Sequence, residues 1–199
     1  MLCCTLLGIG AMASPLYRPA GLLVSAGRWR VMVDGGPGAE PDASVDAWLV
    51  SDADSELRTS IRRLGAARGL EPAVAAFDRR DLSIQPRAVV HTSHPTFGYL
   101  IEGGGRRVVW APEFMAFPDW AAGADLMFAE AAGWARPIRF ARGTGGHAPV
   151  LEVSRRARET GVRRLVFAHI GRQTLRALAD GLTPPFGEIG VEGRTYGVD

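Results

Sequence analysis

The chain carries four histidines, and three of them stand at positions suited to imidazole chemistry. His91 follows the apolar run Arg87-Ala-Val-Val, His147 follows Gly145-Gly146 and opens an expected helix, and His169 follows Leu165-Val-Phe-Ala. A strand holds its last side chain rigidly while leaving it exposed at the sheet edge, which suits a metal ligand or a base. Taken singly, each histidine reads as a cap on its element; taken together they read as a site. An acidic cluster, Asp52-Ala-Asp54-Ser-Glu56, follows another apolar run. Its alternating carboxylates would point the same way in an extended segment and could hold a hard cation. A competing reading makes Ser51 or Asp52 a helix N-cap, with the acids stabilising the first turn. On these residues alone the helix-start reading carries more weight. Glu113, after Val108-Val-Trp-Ala-Pro, is a single acid at another strand end. Gly8-x-Gly10 and Gly103-Gly-Gly105 lack the full dinucleotide spacing and read as turns.

The elements that must position these residues follow from periodicity and breakers. Residues 2–7 read as a buried strand, and 21–26 with 28–34 as a hairpin around Gly27. The run 45–50 is a short strand. Leu57, Ile61 and Leu64 share one helical face, with Gly69 as the stop. Short strands are expected at 74–77 and 87–91, a hairpin at 97–102 and 106–111, and a strand at 124–129. A helix is expected from His147 to Gly161, a buried strand at 163–168, and a short helix from Arg172 to Ala179. The Pro- and Gly-rich tail from Thr183 is expected to wrap the surface. Early hairpins followed by alternating strands and helices argue for an α/β sandwich in a single domain spanning 1–199.

Composition narrows the function. All 23 basic residues are Arg, the net charge is only +2, and the Arg pairs are dispersed along the chain, so a nucleic-acid partner is disfavoured. The chain is expected to act on a small molecule. No stretch has the length of a membrane span. The apolar N-terminus lacks a charged leader region and reads as a strand. Cys3 and Cys4 are neighbours that would point to opposite faces of a strand, so no bridge between them is expected, and a reducing, cytoplasmic setting fits.

In their order along the chain, several blocks resemble the metallo-β-lactamase superfamily, nearest the branch of ribonuclease Z and the cyclic phosphodiesterases of phosphonate breakdown. Leu6-Leu-Gly-Ile-Gly10 and Val31-Met-Val-Asp34-Gly-Gly match the family's opening strands and Asp-containing turn. Ala47-Trp-Leu-Val-Ser51 matches the strand before its H-x-H-x-D-H motif. Thr96-Phe-Gly-Tyr-Leu-Ile-Glu102 with Val108-Val-Trp-Ala-Pro-Glu113 matches the hairpin leading to the bridging Asp. Gly146-His147 and Leu165-Val-Phe-Ala-His169-Ile match the C-terminal pair. The resemblance implies a four-layer αββα sandwich, somewhat truncated between Leu57 and His91, and a homodimer as the assembly found in many relatives.

This chain departs from the pattern where the metal motif belongs. The three motif histidines become Asp52, Asp54 and Leu57, the motif Asp becomes Glu56, and the bridging Asp becomes Glu113. His91 falls at the third-motif position, with His94 as its competitor, and His169 falls at the last ligand position. Two functions follow. In the first, the chain is a metal-dependent hydrolase of a phosphodiester or small ester. Asp52, Asp54 and His91 hold one ion (Zn²⁺, Mn²⁺ or Mg²⁺), and Glu113 and His169 hold or bridge a second. Glu56 then stands at the general-base position, and His147 contacts phosphate or protonates the leaving group. In the second, the chain is a metal-free binding or regulatory module, and Arg58, Arg142 or Arg172 neutralises the acidic cluster.

Overall fold

A computed structural model describes residues 1–141 and 145–198. In chain order, the first part comprises β1 (Leu2–Gly8), β2 (Gly21–Ala26), β3 (Trp29–Asp34), β4 (Ala47–Leu49) and the helix α1 (Arg58–Ala66). Five strands follow: β5 (Phe77–Arg79), β6 (Leu82–Val89), β7 (Thr96–Gly103), β8 (Arg106–Ala111) and β9 (Leu126–Ala131). The last part holds β10 (Ile138–Arg139), β11 (Gly146–His147), α2 (Val150–Glu159), β12 (Leu165–Ile170), α3 (Arg172–Ala179), β13 (Glu188–Ile189) and β14 (Thr195–Val198).

Two large sheets result. One has the strand order β14-β1-β2-β3-β4, the other β13-β12-β9-β8-β7-β6-β5, and β10 pairs with β11 in a small ribbon. Alternation along the strands of the first sheet sorts side chains between two layers. Val31 and Val33 join Leu6, Leu22, Tyr99, Trp110 and Phe128 in the core between the sheets, while Met32 points the other way and packs with Trp48 and Ile61 under α1. β9 and β12 are buried along their whole length. They read as continuous apolar runs because parallel strands covered on both faces need no polar side. α2 packs against them. The order helix, sheet, sheet, helix is the expected αββα sandwich.

Several sequence expectations are corrected at this level. β6 begins at Leu82, before the expected strand at 87–91, and forms a hairpin with β5 across Arg80-Asp81. His147 lies in β11 rather than in the helix, which begins at Val150. The tail contributes β13, parallel to β12, and β14, antiparallel to β1, so it completes both sheets. Its Gly and Pro content masked a short alternation in which Tyr196 and Val198 turn inward and Thr195 and Gly197 outward. Cys3 and Cys4 are free thiols on opposite faces of β1, with Cys4 in the core. Among the described residues no helix is long and apolar enough to cross a membrane.

Asp34 ties the two sheets together at the end where the site lies. It ends β3 in a left-handed conformation, φ 55°. One carboxylate oxygen accepts the Ser51 backbone N–H at 2.6 Å, and the other accepts the Trp110 indole N–H, from β8 of the second sheet, at 2.7 Å. The Trp48 indole N–H donates to the Asp34 carbonyl at 2.8 Å. Two buried indoles thereby gain the partners that their N–H groups require. Burial pushes the Asp34 carboxyl up to about 6, against the pull of the Trp110 and Ser51 donors. Asp34→Ala strands two buried donors and is expected to cost about 2–4 kcal/mol in urea unfolding. A carboxyl whose folded pKa is raised contributes most below its unfolded pKa and loses that contribution as pH rises through the folded one. The stability gap between wild type and Asp34→Ala should therefore be widest near pH 4 and narrow as pH rises past about 6.

Candidate active site

One cavity of about 320 Å³ opens where the two sheets meet. Its wall includes Asp52, Asp54, Glu56, Leu57, His91, His94, Glu113, His147 and His169, so every acid and histidine assigned a ligand or catalytic role from sequence lines the same space. Loops after β4, β6 and β8 supply these side chains, together with β11 and β12 themselves.

His169 is not the residue after a strand but a residue within one. The register of β12 against β9 shifts between Phe167 and Ile170, and His169 takes a left-handed φ of 58°. A bulge of this kind re-aims a side chain at a sheet edge. A non-glycine residue in this conformation is strained by about 1–2 kcal/mol. The strain is offset by two contacts: the ring donates from Nε2 to Glu113 at 2.8 Å and from Nδ1 to Glu130 at 3.2 Å.

Glu113 joins two rings. Its other oxygen accepts from Nε2 of His91 at 3.0 Å, and the His91 Nδ1–H donates to the Gly146 carbonyl at 2.9 Å. Gly145 and Gly146, at φ 144° and 150°, make that approach possible, since a Cβ on Gly145 would collide with the His91 carbonyl. Burial disfavours the charged form of His91, but the hydrogen bond and charge of Glu113 outweigh it and raise the pKa. In His169 burial acts the same way and is overcome by the charges of Glu113 and Glu130, which lift the pKa to about 10. Burial alone would raise Glu113, yet the two rings hold its carboxyl well below the usual carboxylate range.

Behind the rings lies Glu130, with no exposed surface. Its two oxygens accept four hydrogen bonds. Backbone N–H groups donate from Ala132 at 2.8 Å and Phe114 at 3.2 Å, and Nδ1–H groups donate from His147 at 2.7 Å and His169 at 3.2 Å. Burial would raise its pKa, but the charges of His147 and His169 lower it instead. The rings of His147 and His169 stack with centroids 5.2 Å apart, and His91 lies 4.8 Å from His147. Phe140 closes the group edge-on to both His91 and His147.

A third set sits across the cavity. The Nε2–H of His94 lies 3.0 Å from both oxygens of Asp52, which is buried, and the Asp54 backbone N–H donates to Asp52 at 2.7 Å. Ligand atoms of Asp52, Asp54 and His94 lie within 4.8 Å of one another. Asp54 is also paired at 3.0 Å with Arg58, both being largely exposed.

The donor chemistry fits a divalent cation. Two imidazole nitrogens converge on one carboxylate, and an acceptor on Nδ1 of each ring keeps Nε2 aimed inward, an arrangement that orients histidine ligands in metal sites. The same carboxylate raises the pKa of both rings.

The sequence matches the model of the β-lactamase superfamily domain over residues 37–170. The chain belongs to that superfamily. Solved structures agree in fold. The metallo-β-lactamase fold protein YhfI of Bacillus subtilis aligns with a TM-score of 0.76 and 18% identity, covering 99% of this chain and 100% of its own. Zn²⁺-bound PqqB of Methylobacterium extorquens aligns at 0.72 and 13%, covering 98% and 100%. A diphosphatase of the PhnP family aligns at 0.69 and 14%, covering 98% and 96%. Among curated proteins no sequence matches.

Within this superfamily fold, the residues anticipated from sequence are distributed in a particular way. His91, Glu113 and His169 are brought into contact, whereas Asp52 takes His94 as its partner and not His91. Glu56 stands exposed on the cavity wall. The N-cap reading of the acidic cluster is overturned. α1 starts at Arg58 with Leu57 at its N-cap and no acid in its first turn, so Ser51 to Glu56 form a loop. Of the basic candidates, Arg58 reaches Asp54, and Arg172 opens α3 without an ion pair to the cluster among the described residues. Arg142 lies outside the described residues. Glu130 was missed by sequence reasoning. Its signal was there: a single acid in Leu126-Met-Phe-Ala-Glu-Ala-Ala, a run otherwise suited to complete burial.

Removing a buried carboxylate that four donors share leaves all of them unpaired. Glu130→Ala is expected to lower stability by about 3–5 kcal/mol in urea unfolding. The near-isosteric Glu130→Gln should cost less, because its amide oxygen still accepts two of the four bonds.

Proposed function

We propose that this chain is a metal-dependent hydrolase of a small phosphodiester or ester. The observation that carries the reading is the convergence of His91 Nε2 and His169 Nε2 on the two oxygens of Glu113 at 3.0 and 2.8 Å. These three residues would hold the cation. A cation bound there supplies an acidified water and positive charge against a developing oxyanion.

The remaining residues act around that set. His147 has Nδ1 committed to Glu130, which leaves Nε2 to give a proton to a leaving oxygen in the cavity its ring lines. The buried carboxylate behind the ring fixes its orientation. Glu56, exposed and without a partner among the described residues, is the carboxylate available to accept a proton from water. Met12, Pro19, Ile61 and Phe140 give the cavity an apolar wall against which a substrate body can rest. The diphosphatase among the fold's relatives supports a phosphorus ester as the first substrate class to try.

A specific observation favours a second reading, the metal-free binding module. The carboxylates already have partners from within: Asp54 pairs with Arg58, Asp52 with His94, and Glu113 with His91 and His169. Elemental analysis of protein purified without chelator separates the two, paired with turnover of bis-p-nitrophenyl phosphate in Mn²⁺ or Zn²⁺. Bound metal and metal-stimulated turnover are expected. His169→Ala should abolish both, whereas His147→Ala should retain metal and lose about 10²–10⁴-fold in rate. Protein without metal and without metal-stimulated turnover would establish the module instead.

A further inference from the structure

The cavity has a charged side and an apolar side, and the apolar side takes no part in holding a cation or moving a proton. We propose that Met12, Pro19, Leu57 and Ile61 form a specificity subsite for an uncharged apolar group of the substrate, from short alkyl to single aryl in size. The inference rests on the hydrolase reading and names the class of ester it serves, one whose group remote from the reacting centre carries no charge.

The four residues belong to two neighbouring segments. Leu57 and Ile61 stand one turn apart at the start of α1, where the Ile61 N–H donates to the Leu57 carbonyl at 2.9 Å, so their side chains share a face. Leu57 rests on the apolar cluster of Met32, Trp48 and Ile61 and keeps part of its surface on the cavity wall. Met12 and Pro19 lie in the connection between β1 and β2. The two segments meet over Gly36, where a Cβ would come 3.5 Å from the Leu57 side chain and 3.6 Å from the Pro19 ring, and where a φ of 141° suits glycine.

The connection is held firmly at its base. The Gly10 N–H donates to the Arg18 carbonyl at 2.7 Å, the Ala20 N–H to the Gly10 carbonyl at 2.9 Å, and the Ala11 N–H to the Ile170 carbonyl at 3.1 Å. It then turns through a left-handed Ala13, φ 54°. A fixed loop therefore presents Met12 to the cavity, with 49% of the residue still exposed. An unbranched thioether in such a place adapts to apolar groups of different shape and gains contacts when one covers it.

Charge selects what can lie there. Asp34, Asp52, Asp54, Glu56 and Glu113 line the same cavity, and among the described residues no Arg does. Each lining histidine already faces a carboxylate: His94 meets Asp52, His91 and His169 meet Glu113, and His147 meets Glu130. A second anionic group on the substrate would lie among carboxylates without a cationic side chain to receive it, and such like-charge placement is costly. The volume of about 320 Å³ is at the small end for ligand pockets, which limits the group to a short chain or one ring.

Two measurements on the full-length chain test this. In the first, isotope-labelled, chelator-stripped protein is titrated with benzyl alcohol, an uncharged aryl probe that needs no cation, and amide shifts are followed by NMR. Saturable shifts are expected at Met12, Leu57 and Ile61. Met12→Ser and the near-isosteric Leu57→Asn should each weaken binding about fourfold or more, the worth of one buried methylene. The melting curve of Met12→Ser should be unchanged, since the side chain is half exposed. In the second, dimethyl, dibutyl and diphenyl phosphate compete with bis-p-nitrophenyl phosphate turnover in Mn²⁺ or Zn²⁺. Inhibition should tighten along that series, flatten in both variants, and weaken for the bis(para-carboxyphenyl) diester. No saturable shifts at these amides, or shifts unaltered in both variants, would overturn the proposal. Turnover inhibited equally by all the diesters would also overturn it and leave the hydrolase reading intact. Benzyl alcohol binding without any turnover would keep the subsite and remove the hydrolase reading.

Discussion

The site depends on one buried carboxylate with four donors around it. Glu130 has no contact with solvent, so its charge must be met from within. The chain meets it with two backbone N–H groups, from Phe114 and Ala132, and two imidazoles, from His147 and His169. These donors come from separate segments. The carboxylate is thus a common reference point for loops that have no other reason to agree on position. It fixes which nitrogen of each ring faces inward, and it offsets part of the strain at the left-handed His169.

From that anchor the electrostatics propagate outward in alternating sign: Glu130, then His169 and His147, then Glu113, then His91, then the Gly146 carbonyl. Glu130, Glu113, His91 and His169 are each stabilised in their charged forms by neighbours in this series, which is why these two imidazoles are raised and these two carboxylates lowered despite a desolvation penalty on all four. Asp34 stands outside this chain. It has neutral donors only, and burial prevails, raising its carboxyl to about 6. Both patterns occur around one cavity, and the difference is the presence or absence of a cationic neighbour.

Much of the architecture was legible in the sequence. The strands carry clean periodicity, and the two tight hairpins have glycines at their turns, so β2–β3 and β7–β8 were located almost to the residue. What failed was read from residue type without context. Asp52 and Ser51 resemble helix caps, but the helix waits for Arg58 because the intervening loop must keep Asp52 facing the cavity. β13 and β14 were hidden by glycine and proline, whose local preferences were overridden by open edges needing partners. In the site, the acids and histidines named from sequence line one cavity, but the pairing among them was not legible. Whether His91 or His94 meets Asp52 depends on the turn of a few loop dihedrals, on which spacing is silent.

The tail has a consequence for how the molecule is assembled. β1 is paired on one side by β2, its near neighbour, but on the other by β14, at the far end of the chain. Until Thr195–Val198 is in place, β1 presents a row of unpaired backbone groups beside the apolar side chains of Leu2, Cys4 and Leu6. Closing that edge requires one of the longest-range contacts available to the chain, and contacts of this kind form late. Before that contact forms, the open edge of β1 is a sticky surface, and β14 is the latch that keeps the folded molecule from pairing with its own copies.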